Sequence, residues 1–211
     1  MQIGEVMRGA VIGKVLASKS SKFSTGNYVT AQPGWSEVAI VAEKDASLLE
    51  VPENGKVTDA LGVLGMTGLT AYFGITDIGQ VKAGDFVVVS GAAGATGSVA
   101  CQIAKLKGAK VLGLAGSDDK VQWLKDLGCD DALNYKTADF AQQFKEKTKD
   151  LIDVFFDNVG GEILELALSR AKAHSRFVMC GAISQYNSAK PVGPKVCPFS
   201  VFLIPCSLTL M

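Results

Sequence analysis

From residue 85 onward, apolar runs of strand length alternate with segments whose apolar positions recur at helical spacing, which predicts βαβ units laid into a parallel sheet. Residues 86–90 (FVVVS) read as a buried strand, and within 96–107 the side chains of Val99, Ile103, Ala104 and Leu106 gather on one side of a helix. The next strand is 110–115, followed by a helix over 118–127 that Ser117 can cap, with acids in its first turn and Gly128 just past its end. A short strand at 132–135, a polar helix at 138–148, a strand at 151–156, a helix at 162–170 and a strand at 176–180 bring the sheet to five strands. The fold class is therefore α/β, a doubly wound parallel sheet of Rossmann type.

Before residue 57 the pattern changes. Residues 2–43 are rich in Gly, Ser, Val and Thr, and 7–16 and 36–41 read as short β-strands with loops between them. This stretch is too short for a stable core of its own and looks like part of a β domain. Residues 57–73 predict a helical connector, weakened by Gly62, Gly65 and Gly68.

The strand 86–90 runs straight into Gly91-Ala-Ala-Gly94-Ala95-Thr96-Gly97-Ser98 and then a helix. A tight strand-to-helix turn needs residues without Cβ so that backbone N–H groups at the helix start can approach a pyrophosphate, where the helix dipole favours negative charge. In this context the glycines read as a dinucleotide cradle. No G-K-[ST] follows, so an ATP-type P-loop is excluded.

The end of the second strand decides the nucleotide, because an acid there accepts from the ribose hydroxyls of NAD and repels the 2′-phosphate of NADP. Here that end reads Leu114-Ala115-Gly116-Ser117, with no acid. Lys120, one helical turn on, can meet the phosphate as a point charge and Ser117 can donate to it, provided that Asp118 and Asp119 face away. NADPH is therefore the expected cofactor.

Composition narrows the function classes. Lys plus Arg and Asp plus Glu both number 21, so the formal net charge is zero, and binding to nucleic acid or an anionic membrane is not expected. Hydrophobic residues make up 48% of the 211-residue chain and mean hydropathy is +0.25, on the apolar side for a globular domain. No signal-peptide pattern opens the chain, and the apolar run 199–211 is broken by Pro205 and falls short of the ~20 residues of a membrane span. The five cysteines are scattered without a C-x-x-C pair, which argues against a disulfide framework and for a reducing cytoplasmic setting. The lone histidine, His174, is expected in a surface turn between helix and strand, and no set of ligands for zinc is visible.

Several ordered segments together resemble the zinc-independent medium-chain dehydrogenases/reductases, within them the group of prostaglandin reductases, leukotriene B4 12-hydroxydehydrogenases and alkenal double-bond reductases. These are MTGLTAYFG at 66–74, GAAGATGS at 91–98, QIAKLKG at 102–108, AGSDDK at 115–120, NYK at 134–136, FDNVGG at 156–161 and CGAISQYN at 180–187. The resemblance implies NADPH-dependent reduction of a carbon–carbon double bond conjugated to a carbonyl, in a small enone or enal substrate. It implies that residues 94–98 cradle the pyrophosphate and that Lys120 and Tyr135 lie near the 2′-phosphate. Asn158 and the stretch Cys180, Gly181, Ala182, Ile183 and Ser184 would line the nicotinamide side, and Tyr186 matches a tyrosine proposed to support catalysis.

The resemblance also sets the expected organisation: a partial GroES-like substrate domain at 1–56, an NADP-binding Rossmann domain at 57–195 lacking its last strand, and a tail at 196–211 foreign to the family. A homodimer is implied, with much of its interface missing, and a chain truncated at both ends is expected. Intron retention fits the tail, since Val196-Cys197 can be encoded by GTATGT, a splice-donor form; mature message without these codons is the corresponding expectation. The alternatives are a quinone oxidoreductase of the same superfamily and an inactive nucleotide-binding fragment.

Overall fold

The structure is a computed structural model that describes residues 2–190, 192–195 and 207–210. The chain divides into two units, residues 1–67 and 68–211.

In the first unit, strands β1 (Val11–Lys14), β2 (Tyr28–Ala31) and β3 (Ala46–Leu48) form an antiparallel sheet in the order β1-β2-β3. The expected strand at 36–41 is absent: the segment is bent, and Val38 and Ile40 are exposed. Alternation alone made it look like a strand, but β2 is already paired on both edges. Among the described residues of this unit Ala31 is the one buried apolar side chain, and Trp35 is 72% exposed. The predicted connector at 57–73 is a 3₁₀ turn (Val57–Leu61) followed by helix α1 (Met66–Phe73).

The second unit is built on six parallel strands in the order β6-β5-β4-β7-β8-β9, namely β4 (Phe86–Val89), β5 (Lys110–Ala115), β6 (Asp131–Asn134), β7 (Ile152–Asp157), β8 (Ala171–Met179) and β9 (Ser207–Leu210). Helices α2 (Ala95–Leu106), α3 (Asp118–Asp126), α4 (Phe140–Lys147) and α5 (Gly161–Leu168) connect the strands. Because side chains alternate along a strand, Val87 and Val89 of β4 face a core shared with Ala100 and Ala104 of α2 and Leu124 of α3. Phe86 and Val88 face the opposite core, with Phe144 of α4 and Leu164 and Ala167 of α5. Both faces of the sheet are covered, so its strands read as unbroken apolar runs rather than alternating ones.

Three features differ from the sequence expectation. The sheet does not lack its last strand: β9 lies parallel to β8, with Arg176 opposite Ser207 and Met179 opposite Leu210. The physical reason is the unpaired ladder along β8, which an extended segment rich in Leu and Thr satisfies. The rest of the tail, 196–206 and 211, lies outside the described residues. Second, β8 begins at Ala171, so His174 sits exposed inside a strand at φ +62° rather than in a turn, where the register against β7 shifts. Such an irregularity inserts residues into one strand of a pair. Third, Ser117 occupies the N-cap of α3 but makes no side-chain cap bond.

Candidate nucleotide site

In an open doubly wound sheet the ligand crevice lies beyond the carboxyl ends of the strands where the winding reverses, which is between β4 and β7 in this order. β4 ends at Val89, and the chain turns through Ser90 and Gly91, the latter at φ +57°, into α2. A methyl at Gly97 would lie 2.3 Å from the Gly91 carbonyl oxygen, so only glycine lets α2 start this close to the strand. No side chain caps α2 at Gly94, which leaves the first-turn N–H groups of Ala95, Thr96 and Gly97 without an intrahelical acceptor. Gly94 and Ala95 are exposed, and the Ser98 hydroxyl turns back toward the Ala95 carbonyl. These open donors at a glycine turn are what a pyrophosphate requires.

Opposite, β7 ends in Asp157, whose side chain is fully buried. Its carboxylate accepts from the Ser90 hydroxyl (2.6 Å), from Val159 N–H (3.0 Å) and from Gly160 N–H (3.0 Å). Asn158 completes the tie: its N–H donates to Ser90 Oγ at 2.8 Å and its side-chain amide to the Ser90 carbonyl at 2.7 Å. The bonds to the Asp157 carboxylate are charge-assisted and so the stronger ones, and those of Asn158 to Ser90 are neutral. They hold the loop after β7 against the glycine turn, with Asn158 Cβ 3.4 Å from a Cβ placed on Gly91.

The 180–186 segment closes on the same loop. Cys180 and Gly181 donate to the Asp157 carbonyl, Ile183 N–H to the Asn158 carbonyl, and Ser184 Oγ to the Val159 carbonyl at 2.6 Å. Ala182 packs beside Gly160, and its N–H donates to the Tyr186 hydroxyl at 3.2 Å. Ile183 and Tyr186 remain exposed, Tyr186 by 66%. Burial first, and then the Asp157 charge, push the Cys180 thiol above its ordinary pKa, so it stays protonated at neutral pH.

Tyr135 stands at the other side of the crevice, beyond β6, with its hydroxyl 2.7 Å from a Cβ placed on Gly116. Ser117 follows that glycine, and Lys120 is exposed in the first turn of α3. An open cleft of ≈ 560 Å³ runs from Tyr135 and Thr137 to Val159, Gly160 and Ser184. The structure thus gathers Gly91, Asn158 and the 180–186 segment beyond β7, and Gly116, Ser117 and Tyr135 beyond β5 and β6; of these only Tyr135, Ser184 and Gln185 line the cleft, and residues 94–98 do not.

Two residues the sequence reading passed over, Ser90 and Asp157, do most of the joining. A signal existed: each is a polar residue at the close of an apolar run, Ser90 just after β4 and Asp157 the last residue of β7, and both fall at the switch point once the strand order is known.

A parallel sheet wound on both faces, with an uncapped glycine turn at its switch point, defines a dinucleotide-binding domain of Rossmann type. The chain belongs to the zinc-binding dehydrogenase family, whose pattern it matches over residues 95–203, and residues 1–49 match the N-terminal domain of oxidoreductase. Prostaglandin reductase 1 of Bos taurus is 48% identical over 198 residues, covering 92% of this chain and 60% of that protein. The 2-alkenal reductase (NADP(+)-dependent) of Nicotiana tabacum is 38% identical over 192 residues, covering 90% of this chain and 56% of that protein. Among solved structures, CurA of Vibrio vulnificus in complex with NADPH superposes with a TM-score of 0.89 at 38% identity, covering all of this chain and 64% of CurA. The chain therefore spans about three fifths of the length of these relatives.

The zinc in the family's name finds no ligand set among the described residues. Cys101 and Cys129 lie in the core, where a mutual hydrogen bond and burial raise the Cys101 pKa, and His174 is exposed in β8. A zinc ion needs three or four converging donors, so these residues do not fit one. Among the described residues no helix is long and apolar enough to cross a membrane.

Proposed function

We propose that the chain forms the nucleotide-binding part of an NADPH-dependent reductase acting on the carbon–carbon double bond of α,β-unsaturated aldehydes or ketones. The observation that carries the reading is the glycine turn at the switch point, with its uncapped N–H groups and the Asp157-anchored loop set against it. Residues 94–98 hold the pyrophosphate, Ser117, Lys120 and Tyr135 the adenosine 2′-phosphate, and Asn158 with Cys180, Gly181, Ala182, Ile183 and Ser184 the nicotinamide side. The lack of an acid at the tip of β5 and the NADP-dependent relatives favour NADP over NAD. When bound, NADPH supplies hydride to the β-carbon of the substrate.

The negative charge that develops on the carbonyl oxygen then needs a donor. Tyr186 suits that role: its oxygen accepts from Ala182 N–H, so the phenolic proton is free to donate, and the ring stands exposed beside Gly181. Fluorescence titration of the chain with NADPH and NADH tests the cofactor assignment. Tighter NADPH binding is expected, and equal affinity overturns it. NADPH consumption with a 2-alkenal and with a quinone tests the chemistry, in this chain and in a fusion of it to the segments of a relative that lie outside the matched region. Turnover of the quinone alone overturns the enone assignment. In whichever form turns over, Tyr186→Phe is expected to lower kcat about 10²-fold, the lower end of the usual effect of a general acid; near-normal kcat removes Tyr186 from the mechanism.

A further inference from the structure

The end of β5 carries more phosphate-directed chemistry than Lys120 and Tyr135 supply. Gly116 follows Ala115, the residue paired with Asn134 of β6, and its missing side chain leaves room into which the next loop leans. A Cβ placed there would lie 2.7 Å from the Tyr135 hydroxyl and 3.4 Å from Lys136 Cε, so a phenol and the end of an ammonium-bearing chain converge over this one glycine. Lys136 is exposed, and among the described residues it enters no ion pair.

Asn134 organises the group. Its Oδ1 accepts from Lys136 N–H at 3.0 Å, fixing the turn that carries the lysine, and its Nδ2 donates to Asp118 Oδ1 at 2.7 Å. Asp118 is one of the two acids that would repel a phosphate beside Ser117. The other, Asp119, lies exposed in the first turn of α3, where the Ser117 hydroxyl and the neighbouring Lys120 hold its pKa below the usual carboxylate value. The amide of Asn134 thus holds the Asp118 carboxylate at the rim of β6.

We propose that Lys136 is a second cation selecting the 2′-phosphate of the nucleotide, and that Asn134 is a positioning residue that sets the Lys136 turn and keeps Asp118 off the phosphate. The inference rests on the NADP assignment and adds to it the residues that discriminate. A lysine acts here as a point charge, so an arginine can replace it and alanine cannot.

Calorimetric titration of the 211-residue chain with adenosine 2′,5′-bisphosphate and with 5′-AMP tests the proposal, since the two probes differ only in the 2′-phosphate. The wild type is expected to prefer the bisphosphate. Lys136→Ala should weaken the bisphosphate about tenfold, as expected for one charge-assisted contact, and leave AMP unchanged, while Lys136→Arg retains the preference. Asn134→Ala should also lower the preference, and adding Asp118→Asn should restore part of it, a recovery that loss of structure cannot produce. A wild type without preference overturns the NADP assignment and this proposal together. A wild-type preference that survives in Lys136→Ala, or loss of both probes alike in that variant, overturns this proposal alone. Failure of Asp118→Asn to recover the Asn134→Ala loss removes the role given to Asn134.

Discussion

Asp157 shows how much a single buried carboxylate can organise. It joins the ends of two strands by accepting from a hydroxyl and from two backbone N–H groups, and the chain returns to it again at Cys180 and Gly181. Asp157→Asn keeps the shape and replaces one acceptor oxygen by a donor that faces the Gly160 N–H. The expected cost is about 1.5–3 kcal/mol of unfolding free energy, the range for bonds to a charged group. Urea denaturation checks it: the midpoint should fall with an unchanged slope. The glycines of the turn were legible from spacing, whereas Asp157 was not, because a carboxylate ending an apolar strand gains its meaning only from the strand beside it. Lys136 and Asn134 were hidden in the same way, since nothing in their spacing places them over Gly116.

At the scale of elements, the alternation of strands and helices was readable because both faces of the sheet are buried, which writes β4, β5 and β7 as continuous apolar runs. The first unit was less readable. Its short strands bury little, so residues 36–41 carried a strand-like alternation with no pairing partner, and β2 and β3 carried too weak a pattern to be singled out. β9 was invisible for another reason: its four residues resemble an ordinary apolar tail, and only the open edge of β8 gives them a partner. Removing residues 207–211 re-exposes that edge. We expect the shortened chain to self-associate, and light scattering after size exclusion checks this against the full chain.

For the molecule as a whole, zero net charge leaves stability to local ion pairs rather than to a global field. Burial pushes Asp85, Asp130 and Asp131 upward. In Asp85 the Lys82 hydrogen bonds and the Arg176 charge outweigh it, in Asp130 the Lys105 and Val111 bonds do, and in Asp131 the Lys147 bond leads. All three end below the usual aspartate pKa. A carboxylate lowered by folding contributes stability above its unfolded value, about 3.9, and loses it as pH falls through the folded value. These three carboxylates should therefore leave the melting temperature level between pH 7 and 5 and lower it steeply below about pH 4, which a thermal scan across pH checks.

The tie from Ser90 to Asp157 spans 67 positions of chain. Closing so long a loop costs entropy before any contact repays it, and pairings of this separation form late. The glycine turn can be complete in the emerging polypeptide while its opposing wall has yet to be synthesised. Nucleotide therefore cannot guide the early steps of folding, and it can only trap the chain after the β4–β7 seam has closed; nascent chains arrested before Asp157 should show no nucleotide protection against protease.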